Sequence, residues 1–99
     1  MMKLDEIVEF SSEKTVSKLL HETEKVKSVF LCMSEGQTDL HDSVNCKVAI
    51  LVYSGCGSVS TNDDEYDVEE KDLIVFERNE DRVLKARTKL TAVVTFIQE

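Results

Sequence analysis

An all-β domain is predicted by three features of this 99-residue chain. Val, Ile, Thr and Phe gather into short runs, turn-forming residues separate the runs at close intervals, and helical spacing is confined to the first ten residues. Seven or more short strands punctuated in this way predict a barrel or a sandwich.

In residues 4–10 the apolar positions Leu4, Ile7 and Val8 suit one or two helical turns and no more. Residues 15–21 and 25–33 read as strands joined through Thr23 and Glu24. Residues 34–39, Ser-Glu-Gly-Gln-Thr-Asp, are a loop by composition. Residues 47–54 form a continuous apolar run, so a strand buried on both faces is expected there. Residues 58–61 and 65–68 flank Asn62-Asp63-Asp64 and predict a hairpin. A short strand at 73–76 is followed by the polar loop 77–81, and strands at 83–86 and 90–97 complete the set. In the last strand Leu90, Ala92, Val94 and Phe96 share one face.

A chain of this length holds one core, so residues 1–99 are a single domain. The net charge of -8 argues against nucleic acid and anionic membranes, which call for clustered Lys and Arg. The longest apolar run, 48–53, is far too short for a transmembrane helix. Asp5 and Glu6 interrupt the N-terminus before a secretion signal could form, and Cys32, Cys46 and Cys56 lack paired spacing, so a cytoplasmic protein is expected. Proline is absent, which leaves every turn to Gly, Asn, Asp or Ser.

Familiar catalytic patterns are weak. Gly55-Cys56-Gly57 precedes no helix and no Lys-Ser/Thr pair, so it reads as a strand turn and not a phosphate loop. The acidic stretch from Asp63 to Asp72 lacks calcium-loop spacing and reads as a solvated hairpin. Cys46 and His41 form the only Cys–His pairing close in sequence, but a small thiol in a barrel wall is the simpler account.

Residues 26–97 nevertheless resemble a small single-domain cupin, a jelly-roll β-barrel, with residues 1–25 as an N-terminal extension and strand. The first cupin motif starts at a glycine, matched by Gly36, and reaches two histidines one residue apart. His41 matches the first of these and Ser43 occupies the second position. The segment Val44-Asn45-Cys46-Lys47 stands where the motif's glutamate belongs, and Gly55-Cys56-Gly57 matches the closing turn. In the second motif Lys71-Asp72 replaces Gly-Asp, Glu77 stands at the proline and Arg82 falls at the final histidine.

The resemblance implies a metal centre whose ligands are largely missing. A divalent ion needs several converging imidazoles or carboxylates, and a guanidinium stays protonated. An inward Arg82 about 4 Å from a doubly charged ion would cost roughly 8 kcal/mol at an effective dielectric near 20. No metal and no cofactor are therefore expected. The expected function is a non-catalytic small-molecule-binding or regulatory barrel. His41, Ser43, Lys47 and Arg82 are its candidate polar contacts, and a small anion is the ligand its two cations suit. The alternative is a divergent metal-dependent cupin enzyme, of isomerase or dioxygenase type, using His41 with Asp81 or Cys46. Resemblance also implies a homodimer through the N-terminal strands, in residues 14–33.

Overall fold

The computed structural model describes residues 1–41 and 45–98, and of Leu40 and His41 the backbone alone. A 3-10 turn at Leu4–Glu6 precedes the described strands: β1 Val16–Glu22, β2 Val26–Met33, β3 Thr38–His41, β4 Lys47–Ser54, β5 Cys56–Ser60, β6 Glu65–Glu69, β7 Leu73–Phe76, β8 Arg82–Ala86 and β9 Leu90–Ile97. They form a five-stranded sheet in the order β1-β2-β9-β4-β7 and a four-stranded sheet in the order β3-β8-β5-β6. All the described pairings are antiparallel. This is the all-β jelly roll expected from the sequence.

Period-two alternation builds the core. Leu31, Ala92 and Val52 lie side by side across β2, β9 and β4, with Val29, Val94 and Ile50 in the next row. These rows face Val59 and Val68 of the β5–β6 hairpin and Leu84 and Ala86 of β8, all within one buried cluster. The face of β9 expected to carry Leu90, Ala92, Val94 and Phe96 is the face that packs inward.

Several local expectations need correction. β4 is buried on one face only: Val48, Ile50 and Val52 point inward, whereas Leu51 is 41% exposed. A continuous apolar run thus has an open outer side. Residues 38–41, expected partly as loop, form β3 because all four residues find partners along β8. β5 starts at Cys56 and β8 at Arg82, earlier than composition suggested.

Two glycines permit the tight closure of this end of the barrel. Gly55 adopts φ +83°, and a Cβ there would collide with the Lys89 carbonyl. Gly57 has an ordinary backbone, but its Cβ would run into the Lys85 carbonyl of β8. The N-terminal segment returns toward the outer face of the five-stranded sheet, where the Tyr53 hydroxyl donates to Asp5 at 2.7 Å. Phe30, fully buried on that face, meets Tyr53 edge-on at 6.1 Å.

Candidate functional site

Arg82 is the most unusual residue of the interior. It opens β8 in phase with Leu84 and Ala86, so its side chain enters the space between the sheets and retains only 2% exposure. Its guanidinium carbon lies 5.6 Å from the centroid of the Phe76 ring. Nη1 donates to the Glu80 carbonyl at 3.2 Å. Among the described residues Nε and Nη2 meet no acceptor, and neither does the buried Asp81 Oδ1 meet a donor. Burial lowers the Arg82 pKa, while the nearby Cys46, Asp39, Glu80 and Asp81 pull it back up without cancelling the effect. The protein therefore holds a cation whose desolvation outweighs the attraction around it.

Arg82 itself lines none of the hollows described next, but two of them include groups that act on it electrostatically. One, of about 200 Å³, is lined by Thr15, Ser17, Lys27, Leu31, Asp39 and Phe96 among others. The other, of about 190 Å³, is bordered by Glu22, Lys25, Lys27, Cys46 and Phe96 among others. They share Lys27 and Phe96, and each contains one of the groups that act electrostatically on Arg82, Asp39 in the first and Cys46 in the second. The first is lined half by apolar side chains, Val29, Leu31, Val94 and Phe96, and the second mostly by polar and charged ones. A larger hollow of about 450 Å³, bounded by Ser34, Glu35, Gln37 and Lys89, lies toward the opposite end of β8.

The residues singled out from sequence are distributed unevenly. The backbone of His41 pairs with Arg82, so β3 carries it alongside the buried cation. Ser43 lies outside the described residues. Lys47 is half-exposed on the outward phase of β4, with Nζ 3.7 Å from Glu77 Oε2, and is not brought to the interior beside Arg82. Cys46 is buried, and Asp81 is half-buried. Sequence reasoning missed Asp39, Lys27, Phe76 and Phe96. The readable signal for Asp39 was its two-residue spacing from His41, and for Lys27 its place at the end of the alternating row Lys27, Val29, Leu31.

A divalent ion needs several imidazoles or carboxylates converging on it. Among the described residues no three His, Cys, Asp or Glu side chains converge on a point. A permanently charged guanidinium also occupies the interior beside Cys46 and Asp39, where it would repel such an ion.

No protein-family model matches the chain, and no curated protein matches it by sequence. Solved structures do. An RmlC-like cupin protein from Desulfovibrio desulfuricans superposes with a TM-score of 0.84 at 24% identity, over 93% of this chain and 90% of that one. A cupin superfamily protein from Desulfitobacterium hafniense gives a TM-score of 0.91 at 11% identity, over 99% and 90%. A conserved protein of unknown function from Streptococcus pyogenes gives 0.88 at 17%, over 100% and 87%. With the two-sheet topology, these likenesses define the chain as a jelly-roll barrel. The barrel is a small cupin-fold domain.

Proposed function

We propose that this domain is a non-catalytic barrel that binds a small organic anion, with a sensory or regulatory role. The buried Arg82, with Nε and Nη2 unsatisfied among the described residues, carries the proposal. A buried charged donor without a partner costs several kcal/mol, roughly 1–3 for each unmade hydrogen bond. A carboxylate supplies two acceptors in the geometry a guanidinium fork prefers. The hollows of about 200 and 190 Å³ that contain Asp39 and Cys46 suit a compact molecule, with Lys27 as a second cation at their shared border; the ligand would have to reach Arg82 from there, since Arg82 lines neither. His41 and Ser43 remain proposed contacts from β3 and the segment after it. Lys47, beside Glu77, is better placed to interact at the outer rim. The three free thiols suit a reducing, cytoplasmic setting.

A thermal-shift screen against organic acids and sugar phosphates tests this reading. Ligand at about 100 times its dissociation constant should stabilise the protein by about 2.7 kcal/mol. The response should vanish in Arg82→Met. No stabilisation across the panel, or equal stabilisation of the variant, would sink the proposal. Near-stoichiometric metal in protein purified without chelator, lost in His41→Ala, would favour the enzymatic alternative instead.

A further inference from the structure

Arg82 is not alone in lacking partners among the described residues: the buried atoms without one are its Nε and Nη2 and, from the residue before it, Asp81 Oδ1. The turn after β7 creates this set. Glu77 N–H donates to Glu80 Oε1 at 2.9 Å, and Asn79 takes φ +64°, a left-handed value that asparagine tolerates. The closed turn delivers the Glu80 carbonyl to Arg82 Nη1. Nη1 is thereby committed. The two donors left over share one edge of the guanidinium plane, the arrangement that grips both oxygens of a carboxylate. Asp81 stands just ahead of β8, so strand alternation does not force its side chain away from Arg82. Its Oδ1 lacks a donor, and its charge acts on the guanidinium.

A simple anion completes only the arginine. A bare carboxylate or phosphate would satisfy Nε and Nη2 and leave Asp81 Oδ1 buried with its bond unmade. A phosphate dianion would also face Asp39, Glu80 and Asp81. A ligand that completes both residues carries an O–H or N–H donor next to its carboxylate. Its length follows from the strands. Asp39, which lines the hollow of about 200 Å³, pairs with Leu84, two residues from Arg82. Two residues of strand span about 7 Å. Arg82 does not line that hollow, so the head of the ligand must cover this step while its tail stays among Val29, Leu31, Val94 and Phe96.

We propose that the ligand is a carboxylic acid with a hydroxyl or amino donor on its α-carbon and a short aliphatic tail. The carboxylate takes Arg82 Nε and Nη2, the α-donor bonds Asp81 Oδ1, and the tail occupies the apolar half of the hollow beside Asp39. This assignment rests on the anion binding proposed above and narrows it to one chemical class.

Titration of the isotope-labelled full chain, followed by NMR, tests it with three acids of the same shape: isocaproate, α-hydroxyisocaproate and leucine. At least one of the last two should bind about tenfold tighter than isocaproate, and which one does so tells a hydroxyl donor from an ammonium. The Arg82 Nε–H resonance should shift on binding. Asp81→Ala should bring the preferred acid to within about twofold of isocaproate, and Arg82→Met should abolish binding of all three. Should Asp81→Ala fail to fold by circular dichroism, the three acids on the unaltered chain decide the matter. Equal, Arg82-dependent affinity for all three overturns the proposal and leaves anion binding standing. So does binding of none of them while another organic acid binds through Arg82. No Arg82-dependent binding by any acid removes both. An Arg82 Nε–H resonance that Asp81→Ala moves without ligand would show the two residues pairing with each other, and that too overturns the proposal.

Discussion

Replacing Arg82 with methionine should make the ligand-free protein more stable while removing its response to anions. The magnitude follows from the surroundings of the side chain. Two guanidinium N–H groups lack acceptors among the described residues, and relieving them returns roughly 2–6 kcal/mol at about 1–3 per unmade bond. Against this stand the bond to the Glu80 carbonyl, at about 1.5–3 kcal/mol for a charged donor, and the contact over Phe76, at about 0.5–2 kcal/mol. Methionine keeps part of the second contribution through its thioether, roughly 0.3–1.5 kcal/mol against an aromatic ring. Glu80 is exposed, so water can satisfy its carbonyl once the arginine is gone. The acidic neighbours do not reverse the balance, because burial lowers the Arg82 pKa in spite of them.

The net gain is about 1 kcal/mol, or an increase of about 4–8 °C in Tm for a domain of this size. Differential scanning calorimetry without ligand measures it directly. The same variant in the anion screen should show no shift. A fall in Tm of more than about 4 °C would refute the reasoning, since it would mean that the guanidinium is structurally satisfied. Retention of the anion response would refute its functional half.

Two further predictions concern the frame that holds this group. Gly57→Ala should destabilise by about 3 kcal/mol, the upper part of the overpacking range, because the new Cβ would run into the Lys85 carbonyl and not a movable side chain; urea denaturation reads the change. The Tyr53 pKa is raised above 10.0, first by its hydrogen bond to Asp5 and then by burial and by the charges of Asp5 and Glu70. The folded state therefore holds this proton more tightly than the unfolded chain. Its stabilising effect is complete below pH 10 and is lost as pH climbs through the raised value. Tyr53→Phe should flatten the alkaline decline in stability while leaving that of Tyr66, whose pKa is raised chiefly by Asp64, in place.

Most of the fold was legible because alternation and turn chemistry survive in a single sequence. Leu90, Ala92, Val94 and Phe96 declared their common face directly, and Asn62-Asp63-Asp64 marked the hairpin between β5 and β6. The failures have a common origin in pairing that no local pattern encodes. Thr38-Asp39-Leu40-His41 is polar enough to pass for a loop and becomes β3 only because β8 lies alongside it. Residues 47–54 resemble a strand buried on both sides, yet at Leu51 the outer face of the sheet stays open. That openness is a property of the sheet and not of β4.

Arg82 shows how little separates a surface charge from a buried one. Placing the start of β8 at Val83 gives an apolar run, Val83 and Leu84 with Ala86, that accommodates either phase. A shift of one residue exchanges the two faces of a strand, so the phase decides the fate of every side chain in it. In the structure Leu84 pairs with Val59 and Ala86 with Gly57, and the absence of a side chain at Gly57 lets the β8 backbone approach closely. That approach fixes the even-numbered residues inward and carries Arg82 in with them. The packing of two glycine-associated strands at one end of the barrel thereby commits a guanidinium to the interior at the other. If Arg82 binds an anion, Gly57→Ala should weaken that binding through β8 even where the protein still folds.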